Sequence, residues 1–222
     1  MKYVKMLGLA AVAAVALMAF VGASTASATV LCSVPGTGAT TGTTCPAGSA
    51  YVEKQEIHGV SEGNLVLTTG SEFTEITCKK GTVKGTLENE GSATETVKGD
   101  SAEASDIKWE ECSTPNGKCT VTTVAAGTLE VHWIPDSHNG TVTGNGTIVT
   151  SSCASIFGNI HCIYKAATED LGTLTGGETA TADFESTPIN IEPTSGLCPE
   201  GPKWDGKYSI TTPDKLYVTD HT

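Results

Sequence analysis

Apolar and polar residues alternate in short runs along the chain from about residue 53 onward. In the segment GTLEVHWI, Leu129, Val131 and Trp133 fall on one side of an extended chain, and Glu130 and His132 fall on the other. Such alternation places one face of a β-strand on a core and the other in water. The pattern predicts a half-buried strand here, with Trp133 in the core.

The same alternation recurs around Cys162, where Ile160, Cys162 and Tyr164 alternate with His161, Ile163 and Lys165. Further short runs of this kind are NLVLTT, FTEITC, GTVKGTLEN, DIKWEEC, KCTVTT, GTIVTSSC, TATADF, INIE, YSITT and KLYV. Gly, Pro, Asn and Asp residues separate most of these runs. Asn-Gly pairs at 116–117, 139–140 and 145–146 are strong hairpin signals. The polar, acidic stretch from Thr94 to Ala104 is predicted to be a loop.

Many short strands with frequent turn signals favour an all-β sandwich or barrel. We expect one antiparallel β-sandwich domain, Ig-like or related, over residues 53–222. The alternative is two small β-domains that divide near the loose stretch from His138 to Gly146. Residues 29–52 are rich in Gly, Thr and Pro without periodicity, which is typical of a loop or linker.

The first 28 residues have the pattern of a secretory signal peptide. Lys2 and Lys5 precede an uncharged apolar run, and the small residues Ala26-Ser27-Ala28 follow it. The apolar run is shorter than the ~20 residues of a spanning helix. A lipoprotein signal is rejected because Leu31 precedes Cys32. The pattern predicts cleavage after Ala28, no membrane anchor in the mature chain, and a secreted, extracellular or cell-surface location.

Eight cysteines follow the predicted leader: Cys32, Cys45, Cys78, Cys112, Cys119, Cys153, Cys162 and Cys198. An even number in an exported chain indicates a disulfide framework. No C-x-x-C pair exists, and no two cysteines have the close spacing of zinc ligands. The sequence therefore predicts structural disulfides, with no metal and no cofactor.

Proximity along the chain predicts which cysteines pair. Cys153 and Cys162 would face each other across a hairpin whose turn lies near Phe157-Gly158-Asn159. The complete scheme adds the bonds Cys32–Cys45, Cys112–Cys119 and Cys78–Cys198. A rival scheme keeps Cys32–Cys45 and Cys153–Cys162 but joins Cys78 to Cys112 and Cys119 to Cys198.

The chain is acidic, with a net charge of −12 that becomes −14 when Lys2 and Lys5 leave with the leader. It contains no arginine. A basic patch is the usual footprint of a nucleic-acid binder, so nucleic acid is not an expected partner. Aromatic residues make up only 5% of the chain, so the disulfides are expected to compensate for a light core.

No catalytic residues are predicted. Glu110 and Glu111 are adjacent and are expected to be solvated surface charges, and neither H-E-x-x-H nor G-x-S-x-G occurs. The segment Asp136–Gly140 fails the calcium-loop pattern at His138. Trp204 lies among turn residues and is the candidate ligand-binding residue, with a plug over Cys198 as the alternative interpretation.

Residues 71–218 resemble a group of exported actinobacterial proteins of unassigned function. The resemblance rests on Cys78 with GTVKGTLEN, on WEECSTPNGKCTV, on C-x8-C-I-Y from Cys153, and on LCPEGPKWDGKYSITTP. It implies a secreted β-fold and supplies no catalytic residues. We expect a non-enzymatic envelope, surface or interaction protein whose partner is unknown. The alternative is a secreted hydrolase on a β-sandwich.

Overall fold

The computed structural model describes residues 28–38, 44–68, 75–101, 103–155, 158–165, 169–188, 190–192, 198 and 203–221. The signal-peptide prediction falls on residues outside this set, apart from Ala28. Cleavage after Ala28 therefore stays a prediction.

Apart from turns and loops, the described residues form β-strands and one 3₁₀ turn at Ala104–Asp106. The strands are β1 (Val30–Cys32), β2 (Glu56–Ser61), β3 (Leu65–Thr68), β4 (Ile76–Leu87), β5 (Val97–Asp100), β6 (Ile107–Thr114), β7 (Gly117–Ala125), β8 (Thr128–Trp133), β9 (Gly140–Asn145), β10 (Ile148–Ser155), β11 (Gly158–Lys165), β12 (Glu169–Thr175), β13 (Thr181–Pro188), β14 (Asn190–Glu192), β15 (Lys203–Thr212) and β16 (Tyr217–Thr219).

Strands β2 to β15 close into one antiparallel barrel. They form eight staves, each of one strand or of two successive strands: β2/β3, β4, β5/β6, β7/β8, β9/β10, β11/β12, β13/β14 and β15. Each stave pairs antiparallel with the next one along the chain. The last stave, β15, pairs with β2 and β3 and closes the ring.

The all-β prediction is confirmed, and the predicted Ig-like sandwich is corrected to a closed barrel. A sandwich has two sheets with free edges, whereas here the first and last staves pair with each other. The hairpin predicted at Asn116-Gly117 joins β6 to β7, where Thr114 lies opposite Gly117. Asn145-Gly146 does not form a hairpin, because it connects β9 to β10, which are two successive strands of one stave.

The predicted alternation holds for the strands on which it was clearest. Leu129 and Val131 of β8 line the barrel interior. The carboxylate of Glu130, between them, forms an ion pair with Lys98 at 2.9 Å on the outer face. In β11, Cys162 and Tyr164 are likewise buried while the residues beside them alternate toward solvent.

Three strands lie where the sequence predicts loops. β1 falls within 29–52, β5 within the acidic stretch from Thr94 to Ala104, and β9 within the loose stretch before Gly146. β5 and β9 contain few apolar residues: in β5, Val97 is buried, but Gly99 has no side chain to mark its face. β1 is apolar but has only three residues, too few to show an alternation. Since β9 pairs with both β8 and β12, the stretch that could have divided the chain is part of the barrel wall.

A small two-stranded sheet of β1 and β16 caps one end of the barrel. Leu31 lies opposite Val218 in this sheet, and both side chains are buried together with Leu216. These three residues pack against Leu87, Val97, Val142, Leu174, Ala180 and Ile210 from the barrel. The cap and the wall therefore share one hydrophobic core.

All eight cysteines form disulfides: Cys32–Cys45, Cys78–Cys112, Cys119–Cys153 and Cys162–Cys198. The Cys32–Cys45 prediction is confirmed, as is Cys78–Cys112 from the rival scheme. The predicted bonds Cys153–Cys162, Cys112–Cys119, Cys78–Cys198 and Cys119–Cys198 are wrong.

The register of β10 and β11 explains why the hairpin bond does not form. Cys153 lies opposite Ile160, and Cys162 lies opposite Ser151, so the two cysteines are diagonal neighbours. Diagonal positions in an antiparallel pair are about 7–8 Å apart, which is beyond the reach of a disulfide. On its other edge, β10 places Cys153 directly opposite Cys119 of β7, with 4.1 Å between the Cα atoms. The tip of the predicted turn, at Phe157, lies outside the described residues.

The pairing can be tested with the single variant Cys153→Ala. The variant is expected to leave one free thiol at Cys119, which alkylation without reduction followed by peptide mass spectrometry would locate. Because the lost bond spans 34 residues, the free energy of unfolding should fall by about 4 kcal/mol. The double variant Cys119→Ala/Cys153→Ala is the control and should take up no label. A label on Cys162 in the single variant would contradict the observed pairing.

Candidate ligand-binding cavity

The barrel interior contains a cavity of about 290 Å³. Its lining reaches from Leu31 and Leu216 at the capped end to Leu67 of β3 and to Ile76 and Cys78 of β4. Most of the lining side chains are aliphatic or aromatic. A closed barrel of eight strands is wide enough either to be filled by side chains or to hold one small ligand. The cavity shows that side chains do not fill this one.

Aromatic residues concentrate in one part of the lining. Trp109 of β6 and Trp204 of β15 meet edge to face, with 4.5 Å between ring centroids and 83° between ring planes. Phe184 of β13 and Tyr208 of β15 form a second edge-to-face pair at 5.9 Å. Tyr164 of β11 also lines the cavity. We call these five residues the aromatic cluster.

Glycines on the inner face make room for the large side chains of this region. A Cβ atom at Gly81 would collide with Leu65 and would lie 3.3 Å from the Tyr208 hydroxyl. A Cβ atom at Gly206 would approach Leu65 to 2.7 Å and Trp204 to 3.3 Å. Small residues on the inner wall therefore allow Leu65 and the aromatic cluster to pack.

Two tyrosines of the aromatic cluster carry the polar groups of the interior. Burial raises the pKa of the Tyr208 phenol well above its usual range. Burial also raises the pKa of Tyr164, and a hydrogen bond with Ser151 offsets part of that effect. Both phenols therefore stay protonated and uncharged across the physiological pH range.

The barrel wall has a seam between β6 and β7. In the described structure, their backbone pairing is limited to Ser113 with Lys118 and Thr114 with Gly117, beside the turn. Further along, the Thr123 side chain bridges the strands: the Trp109 indole N–H donates to its hydroxyl at 3.1 Å. The same hydroxyl donates to the Ile107 carbonyl at 3.0 Å. Next to the aromatic cluster, hydrogen bonds of the Thr123 side chain therefore take the place of backbone hydrogen bonds between β6 and β7.

Trp204, the candidate ligand residue of the sequence analysis, lies in strand β15 and lines the cavity. The turn-like sequence around it is misleading, because Gly206 is part of the inner wall of the barrel. Trp204 and Cys198 both pack against the same hydrophobic cluster, and the interpretation of Trp204 as a plug over Cys198 stays a prediction. Its role in binding stays a prediction.

The other candidates from the sequence lie outside the cavity. Glu111 is on the outer surface, where Lys79 and Lys80 approach its carboxylate to 3.3 and 3.1 Å and lower its pKa. Its neighbour Glu110 is exposed as well. Among the described residues, no three His, Cys, Asp or Glu side chains cluster closely enough to hold a metal ion.

Sequence reasoning missed the aromatic cluster as a unit. Trp109, Tyr164, Phe184 and Tyr208 each lie in a predicted strand, but on four different segments of the chain. Alternation assigns each of them to a face and says nothing about which faces share an interior. The barrel closure that joins them depends on long-range pairing of β15 with β2 and β3.

Within the described residues, no helix has the length and apolar character needed to cross a membrane.

Replacing Thr123 by Val tests the seam. The variant keeps the side-chain shape but leaves the Trp109 indole N–H and the Ile107 carbonyl without the bridging hydroxyl. Since each unsatisfied buried group costs about 1–3 kcal/mol, the free energy of unfolding should fall by at least about 1 kcal/mol. Urea denaturation measures this change. Thr122→Val, on the exposed face of the same strand, should change stability by no more than about 0.5 kcal/mol. Equal effects of the two substitutions would contradict the bridging role.

Comparison with known proteins finds no matching family model, no matching curated protein and no matching solved structure. The resemblance to exported actinobacterial proteins therefore stays a prediction. The functional argument rests on the residues of this chain and their geometry.

Proposed function

We propose that this chain is an exported, non-enzymatic binding protein that holds one small, uncharged, apolar molecule inside its barrel. The observation that carries the proposal is the cavity of about 290 Å³ with its aliphatic and aromatic lining. Concave, mostly apolar pockets with a few placed polar groups are the usual sites of small-molecule binding. Such a molecule would be the unknown ligand of the interaction protein expected from the sequence.

The size of the cavity limits the ligand. An engineered apolar cavity of roughly 150 Å³ stays dry and takes up benzene. The cavity here is about twice as large, which corresponds to a ligand of about 10 to 20 non-hydrogen atoms. Burial of the ligand's apolar surface supplies the binding free energy, at about 25 cal/mol per Å².

A hydrolase is the alternative function, and the chemistry of the lining favours binding over hydrolysis. Lys98 and Asp100 of β5 border the cavity, but their side chains alternate with the buried Val97 and lie on the outer face, where both have partners. Lys98 pairs with Glu130, and Asp100 accepts a hydrogen bond from Thr86 at 3.2 Å. The phenols of Tyr164 and Tyr208 are held neutral by burial. A hydrolase needs a nucleophile in contact with a base, and these groups do not supply that arrangement.

The proposed location follows from the disulfides. Four disulfides indicate an oxidising, extracellular compartment. Secretion through the predicted leader, and attachment to a cell envelope, remain parts of the proposal. In that setting the protein would carry or retain its ligand outside the cell.

A matched pair of substitutions on β7 tests the binding site. Val121 lines the cavity, whereas Val124, on the same strand, is 57% exposed. Val121→Phe fills part of the interior and should weaken binding of N-phenylnaphthylamine, an uncharged fluorescent probe, by about tenfold or more. Val124→Phe makes the same change on the outer face and should leave the affinity unchanged. Fluorescence titration of the disulfide-bonded protein measures both.

Thermal melting of each variant separates loss of the cavity from loss of the fold. A folded Val121→Phe variant that binds the probe as tightly as the unmodified chain would contradict the proposed site. Absence of saturable binding by the unmodified chain, for this probe and for an uncharged aliphatic alcohol such as decanol, would contradict the proposed function as a whole.

A further inference from the structure

The aromatic residues of this chain are gathered around the cavity. The described residues include eight aromatic side chains, and five of them, the aromatic cluster, line the cavity. The chain as a whole is poor in aromatics, at 5%. An aliphatic ligand such as a fatty chain would be served equally well by Leu, Ile and Val. The enrichment therefore points to a ligand with a π-system of its own.

The geometry of the aromatic cluster suits a flat molecule. The Trp109–Trp204 pair and the Phe184–Tyr208 pair both meet edge to face, at 83° and 80°. Each pair presents ring faces and ring edges in nearly perpendicular directions. A planar conjugated ligand can therefore stack on one ring while its edge meets the face of another. Such aromatic contacts add to the free energy that comes from apolar burial.

Tyr208 supplies a hydrogen-bond donor at this position. Its side chain is only 6% exposed and borders the cavity. Burial alone raises its pKa, and no hydrogen bond to a described residue contributes to the shift. The phenol places a hydrogen-bond donor in a largely apolar lining, so a ligand oxygen that accepts its proton would be stabilising.

The charges around the cavity restrict the ligand further. In β5, the side chains of Lys98 and Asp100 alternate with the buried Val97 and so point away from the interior, to the outer face, where Lys98 pairs with Glu130 and Asp100 accepts a hydrogen bond from Thr86. A charged molecule placed in this apolar interior would lose its hydration without compensation. The ligand should therefore be neutral.

We infer that the ligand is a neutral, planar, conjugated molecule with a carbonyl-type oxygen, which accepts a hydrogen bond from Tyr208 while its rings pack in the aromatic cluster. This inference rests on the proposed function, since it names the chemical class of the molecule that the barrel holds. Trp204, through its contact with Trp109, forms part of the same ring-binding surface.

Three uncharged probes test the inference by isothermal titration calorimetry on the disulfide-bonded chain. Prodan is a naphthalene that carries a ketone, dimethylaminonaphthalene has the same rings without the ketone, and decanol is aliphatic. The unmodified chain should bind prodan at least about three- to tenfold more tightly than dimethylaminonaphthalene, because prodan adds one hydrogen bond and the apolar surface of its propionyl group. Decanol should bind more weakly than either.

The variant Tyr208→Phe removes the donor and retains the ring. Its affinity for prodan should fall by about three- to tenfold, the share of the lost hydrogen bond, while its affinity for dimethylaminonaphthalene should stay within about twofold of that of the unmodified chain. Tyr51→Phe is the control, because the Tyr51 hydroxyl donates to the Lys215 carbonyl and does not border the cavity. This control should keep the full preference for prodan.

The outcomes separate this inference from the proposed function. A Tyr208→Phe variant that keeps the full preference for prodan would overturn the hydrogen bond. Tight decanol binding with no binding of either naphthalene would overturn the aromatic ligand class and leave the proposed function standing. Failure of all three probes to bind would overturn both.

Discussion

The pairing of β15 with β2 and β3 is the contact on which the rest of the structure depends. It joins the last stave of the barrel to the first, across about 150 residues of chain, with Tyr208 opposite Ser61 and Trp204 opposite Leu67. Without it, the staves would form an open sheet with two exposed edges and no enclosed interior. Strand β15 also carries Trp204 and Tyr208, two residues of the aromatic cluster that line the cavity. The pairing that closes the barrel therefore also forms the cavity.

The disulfides and the cap secure a wall that has few large side chains. Cys78–Cys112 and Cys119–Cys153 each join directly opposed residues of neighbouring staves. In the β1–β16 cap, Leu31 and Val218 are buried against barrel residues such as Leu87 and Val142. The disulfides and these apolar contacts together stabilise the barrel wall. The interior can therefore remain partly empty, which a barrel held together only by a filled core could not tolerate.

Local features of the fold could be predicted from the sequence, and long-range ones could not. Alternation identified the inner faces of β8 and β11, and Asn116-Gly117 identified a hairpin, because each depends on neighbouring residues alone. The disulfide of Cys153 was predicted incorrectly because the register of the β10–β11 hairpin differs by two residues from the predicted one. The residue opposite Cys153 is therefore Ile160 and not Cys162. Whether the fold is a barrel or a sandwich depends on the pairing of β15 with β2. The alternation of apolar and polar residues within each strand does not indicate which other strand it pairs with. Trp204 was identified as a candidate from its position among turn residues, while the cluster around it became visible only with the closure of the barrel.

A crystal structure of the disulfide-bonded chain under xenon pressure tests the central claim most directly, since xenon enters apolar cavities that are large enough and dry. The account predicts anomalous density for xenon inside the barrel, in contact with residues such as Leu129, Val131 and Phe184, which line the cavity of about 290 Å³. A barrel interior closed by side chains, with xenon bound only on the outer surface, would contradict it.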